Sequence, residues 1–146
     1  MRKILVFGLL SCLIINSSCS NIEANDADYD ALAQDMCECA SPHTSKISKE
    51  MRQAMITSEK EGTNVQAAMN AVFVKDPKSG VADMHAIDEL GIELKKCSER
   101  LNSKYSAVYT NESEEDVIQK LLNALKKRRG CEFTYALMKA TSKPAK

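Results

Sequence analysis

The sequence predicts an all-α domain, a compact bundle of about five helices stapled by two disulfides. Three observations lead there. Proline and glycine together number only eight, while Ala, Leu, Met, Lys and Glu abound, which is helix-forming composition. Apolar residues recur three or four apart through most of the chain, and no stretch alternates convincingly as a strand. Six cysteines are encoded, and an even set of four remains once the N-terminal segment is set aside.

The N-terminal segment bears on the compartment. Arg2 and Lys3 precede an apolar run over residues 4–15, closed by Asn16-Ser17-Ser18-Cys19. As a helix the run would extend roughly 18 Å, at about 1.5 Å per residue. A membrane span needs about 20 apolar residues, so the run is too short to cross. A basic start, a short apolar core and a small-residue exit together read as a cleavable export signal.

The exit resembles that of bacterial lipoprotein precursors, whose signal ends in a small-residue box closed by cysteine. Ser17 and Ser18 fit that box, and Asn16 stands where an aliphatic residue is usual. The resemblance covers residues 1–19. It implies removal of residues 1–18, a lipid on Cys19, and a chain tethered at the cell envelope, on the periplasmic or surface face of the outer membrane. A multi-chain lipid is needed for stable anchoring, because a single acyl chain holds only marginally. Two other exits stay open. Leu9-Leu10-Ser11-Cys12 leaves a shorter apolar core and strands Leu13-Ile14-Ile15 after the cut. Simple cleavage near Ser18-Cys19-Ser20 would release an unlipidated chain.

Cysteine parity favours Cys19. Loss of Cys12 with the signal and lipidation of Cys19 leave Cys37, Cys39, Cys97 and Cys131. Four cysteines in an oxidising compartment read as two disulfides. Cys37 and Cys39 are two apart, so on a helix they point about 200° from each other, and a disulfide cannot bridge them. Each should pair across the fold with Cys97 or Cys131, in either order.

Without residues 1–18 the chain has 18 basic and 20 acidic residues, a near-neutral balance that argues against nucleic acid as a partner. Trp is absent and aromatics are few, so a carbohydrate-stacking platform is not expected either. Residues 19–28 read as a polar, acidic spacer, 29–140 as one helical domain, and 141–146 as a loose tail. The acids of the spacer equally suit the start of the next helix.

Within the domain the helices follow in order. From about Ala27, Leu32, Met36 and Ala40 recur at helical spacing until Ser41-Pro42, read as a break and restart with Ser as cap and Pro at the first position. The second helix carries Ile47, Met51 and Met55 to Gly62. Thr63-Asn64-Val65-Gln66 reads as a capping box opening a helix through Met69, Val72 and Phe73. Asp76-Pro77-Lys78-Ser79-Gly80 breaks it. A long helix follows, its stripe running through Met84, Ile87, Leu90, Leu94, Cys97, Leu101, Tyr105 and Val108. Gly91, in mid-helix, suggests a close crossing. Ser113 and the acids 114–116 open the next helix, and Lys126-Lys127-Arg128-Arg129-Gly130 ends it with cations at the dipole's negative end. Residues 131–140 form a short last helix.

No Gly-rich phosphate loop, zinc-protease motif or nucleophile elbow stands out. The expectation is a non-enzymatic structural or partner-binding module with no cofactor, its contacts being the membrane and an envelope protein. Beyond the anchor, its body resembles the small helical cysteine-bearing lipoproteins of the Gram-negative envelope. The competing reading is metal or redox chemistry at Cys37-Glu38-Cys39, where thiolates with Met36 or His43 nearby would suit Cu(I) or Zn(II). Helical metal sites use i,i+3 or i,i+4 spacing, and redox exchange uses C-x-x-C, so disulfides are the stronger reading. The remaining methionines fall mostly on apolar stripes and read as core filling. The cation run 126–129 reads first as a helix end, and second as a contact for anionic headgroups.

Overall fold

A computed structural model describes residues 24–110 and 112–142, which are all helix and connecting turns. Cys12, Cys19 and the expected export signal lie outside the described residues. Among the described residues seven helices form where about five were expected: α1 (Asp26–Thr44), α2 (Lys49–Glu61), α3 (Val65–Lys75), α4 (Pro77–Lys104), α5 (Ser106–Thr110), α6 (Glu114–Lys127) and α7 (Glu132–Ser142). The core runs along α1. Leu32, Ala33, Met36 and Ala40 of that helix are buried against Leu90, Leu94 and Cys97 of α4, Leu125 of α6 and Ala136 of α7. α1 packs on both α4 and α6, and α7 lies against α2 and α6.

The extra helix arises at Tyr105. The apolar stripe predicted to run unbroken to Val108 stops there, with φ −114° and ψ 39°. The Tyr105 hydroxyl donates to Asp35 Oδ2 at 2.8 Å, which turns its ring into the core and ends α4. The chain then restarts as the short α5.

Four other boundaries differ from expectation, each for a local reason. Asn25, not the far side of a spacer, caps α1. Its Oδ1 accepts the Ala27 amide at 2.8 Å, and Asp28 reaches back to the Asn25 amide at 2.9 Å. Residues 26–28 therefore belong to the helix, and their acids meet its positive end. Pro42 does not interrupt α1: it lies in the last turn, so the one amide bond it lacks, to the Glu38 carbonyl, is lost at the helix end and leaves the turns before it intact. The restart is at Ser48, whose hydroxyl accepts the Met51 amide at 3.2 Å. Asn64 rather than Thr63 caps α3, accepting the Ala67 amide at 3.1 Å. At the far end, Thr141 and Ser142 continue α7 instead of forming a tail.

The close approach expected at Gly91 occurs instead at Gly80, in the first turn of α4. A Cβ at Gly91 would meet nothing within 4 Å, so no helix crosses there. A Cβ at Gly80 would stand 2.9 Å from the Phe73 Cα and 2.7 Å from its ring. Asp76 caps α4 and Pro77 occupies its first position, so α3 and α4 are joined with almost no loop. That tight joint forces Phe73 onto Gly80, and only hydrogen fits between them.

Gly62 and Gly130 both take the left-handed conformation, with φ 68° and 84°. They stop α2 and turn the chain from α6 toward α7, as their sequence positions predicted.

Candidate functional site

Two features of the described residues bear on function: the cysteines of α1, and a groove beside that helix. Cys37 is at disulfide-bonding distance from Cys131, with Cα atoms 5.7 Å apart, and Cys39 from Cys97, with Cα atoms 6.3 Å apart. Two residues of α1, facing opposite ways, thus reach the turn before α7 on one side and the C-terminal third of α4 on the other. Cys97 and Cys131 are buried, and Cys37 and Cys39 half-buried. Arg100 brings Nη2 to 3.9 Å from the Cys39 sulfur.

These pairings separate the sulfurs that a thiolate metal site at Cys37 and Cys39 would have to bring together. Among the described residues no group of three or more His, Cys, Asp or Glu side chains gathers as a metal cluster. His43 is half-buried in the last turn of α1 and His85 is exposed on α4. Met36, Met51, Met55 and Met69 are buried, and Met84 and Met138 pack on the core edge, so the methionines fill space.

The groove arises because α4 and α6 both pack on α1 yet stand apart above it. Between them lies an open trough of about 980 Å³. Met36, Leu94, Leu121 and Leu137 form its buried floor. Gly91 and Ile92 line the α4 wall, Val117 and Ile118 the α6 wall. Ile92 is 57 % exposed, which makes it one of only three large apolar side chains left in water among the described residues. No local pattern in the sequence announces this trough. Its one legible signal was Ile92, an apolar residue beside the main stripe and next to a glycine.

Charges frame the trough. Asp88, Lys95 and Glu99 stand along α4, with Glu112 and Glu114 at the start of α6. Lys120 pairs with Glu112 at 2.6 Å, and that carboxylate raises the lysine's pKa. Behind Glu112, burial pushes the Tyr29 hydroxyl well above its ordinary range, and the neighbouring Glu112 and Asp116 carboxylates add to the effect. The Lys120 ammonium sits 5.4 Å from the centre of the Tyr29 ring. This network fixes the start of α6 against α1.

At the other end of α6 the cation run divides. Arg128 turns onto α1, donating to the Asp30 carbonyl at 2.6 Å and to Gln34 Oε1 at 3.4 Å, while Lys126, Lys127 and Arg129 stay exposed. At least one of the four cations is therefore a helix-to-helix clamp. No helix among the described residues is long and apolar enough to cross a membrane. No protein-family model matches the chain, nor does any curated protein or any solved structure.

Proposed function

We propose that this chain is an exported, lipid-anchored protein of the cell envelope that acts by holding a partner, not by catalysis. The observation that carries the reading is the arrangement of the cysteines. Those left after the N-terminal signal fall into two pairs that staple one helix on both sides, as suits an oxidising compartment. A tethered module of this size needs a rigid body and a contact surface, and the α4–α6 trough offers a preformed one.

The tether is tested by membrane fractionation of cells expressing the native chain and Cys19→Ser. The native protein should sediment with the outer membrane, and the variant should lose acyl labelling. Equal partition of the two, with no acyl label on either, would remove the anchor from the reading. Two or more readily alkylated thiols at Cys37 and Cys39 in the untreated protein would shift it toward metal or redox chemistry.

A further inference from the structure

We propose that the α4–α6 trough receives a cationic amphipathic helix from a protein partner. This rests on reading the chain as a partner-binding module, and it names the chemistry of the partner. Shape is the first argument. The α4 wall faces the trough from Ile87 to Asn102, and that stretch is roughly 22 Å long at about 1.5 Å per residue. A helix of about four turns matches that length, and three helices can share one seam when the guest lays its apolar side on the floor.

Local relief supports the same guest. Gly91 leaves open space on the α4 wall, and Ile92 beside it is exposed. A ridge of the incoming helix would enter at Gly91 and cover Ile92, in the manner of ridge-into-groove packing.

Charge selects among amphipathic helices. Even with Glu112 paired to Lys120, exposed Asp88, Glu99 and Glu114 outnumber the single cation Lys95 around the rim. Lysines or arginines flanking the guest's apolar stripe would meet these carboxylates, and an acidic helix would be repelled. A fatty acid or anionic headgroup would bring its own negative charge to the same rim. A basic protein helix is therefore the occupant that fits both floor and edge.

The test uses the processed full chain, placed in zwitterionic nanodiscs if it carries lipid, with empty nanodiscs as the blank. Three probes are compared by fluorescence anisotropy or competition: a labelled 14-residue Leu/Lys amphipathic peptide, its Leu/Glu counterpart, and oleate. The Leu/Lys peptide should bind at least about ten-fold more tightly than the Leu/Glu peptide, with the gap closing at high salt. Gly91→Trp should fill the trough and weaken binding by a similar factor while circular dichroism and melting temperature hold. The double variant Asp88→Lys, Glu99→Lys should reverse the preference, and it decides the matter even if Gly91→Trp fails to fold. Equal binding of both peptides, or binding indifferent to both variants, would overturn the proposal. So would oleate binding that Gly91→Trp abolishes while neither peptide binds. None of these outcomes touches the tether, which fractionation tests separately.

Discussion

The Cα of Cys39 lies 6.3 Å from the Cα of Cys97, a fully buried residue in the C-terminal third of α4. A bond between the two would join elements 58 residues apart in sequence within the buried core. Closing a loop of 58 residues limits the unfolded chain by about 4 kcal/mol in chain-entropy reasoning, and measured effects of such bridges run to about 2–4 kcal/mol. The double variant Cys39→Ala, Cys97→Ala should lose stability in that range in urea denaturation. It should keep its helical circular dichroism, because the surrounding core does not depend on the bridge for its shape.

The glycine pair gives opposite predictions from one substitution. Gly91→Ala removes a poor helix former at a site with open space, so stability should rise by about 0.5–1 kcal/mol. Gly80→Ala gains the same propensity but drives a methyl to 2.9 Å from the Phe73 backbone. Backbone cannot step aside as a side-chain tip can, so a net loss of about 1–3 kcal/mol is expected. Thermal melts of the two variants side by side check both signs.

Asp83 is a buried carboxylate that accepts both the amide and the hydroxyl of Ser48, each at 2.6 Å. Ser48 in turn caps α2, so Asp83 holds a cap in place from another helix. Asp83→Ala should destabilise the protein by about 2–3 kcal/mol, since two short hydrogen bonds are lost and the half-buried Ser48 donors are left without them. Ser48→Ala removes the cap and one of the two bonds to Asp83 while the amide bond stays, so it should cost less, about 1–2 kcal/mol. Denaturation midpoints of both variants test the order.

Acid sensitivity should have a contribution from Asp35. Lys104 at 2.7 Å, then the Tyr105 hydroxyl, lower its pKa in the folded protein. A depressed carboxyl pKa gives stability that is present above the unfolded value, near 4, and is lost as pH falls through the folded value. Asp35→Asn should therefore be less stable than the native protein at pH 7, by at most about 1 kcal/mol for so exposed an ion pair. The gap should begin to shrink near pH 4, as the unfolded chain takes up the proton, and close only once pH falls below the lowered folded value, where the native carboxylate is itself protonated. Stability curves of both proteins between pH 2 and pH 7 report the crossing.

The residues that the sequence made legible are those whose constraint is local. Leu32, Met36 and Ala40 announce a buried helix face, and Gly62 and Gly130 announce stops, because each depends only on spacing or on φ. The opposed directions of Cys37 and Cys39 likewise followed from helix geometry, which required two separate partners. The choice between Cys97 and Cys131 depended on which flank of α1 receives α4, and no local pattern records that. Gly91 misled for the same reason. Its position in mid-helix suggested a crossing, while the crossing lies at Gly80, where a joint of almost no length folds Phe73 back. The trough is the plainest case, since it exists only because α4 and α6 stand apart on α1.

Intact-mass spectrometry of the protein recovered from membranes, alkylated before and after reduction, tests the central claim most directly. The expected species begins at Cys19, carries added acyl mass, takes no alkyl group untreated, and takes four after reduction, at Cys37, Cys39, Cys97 and Cys131. A chain that retains residues 1–18, lacks acyl mass, or alkylates without reductant would contradict it.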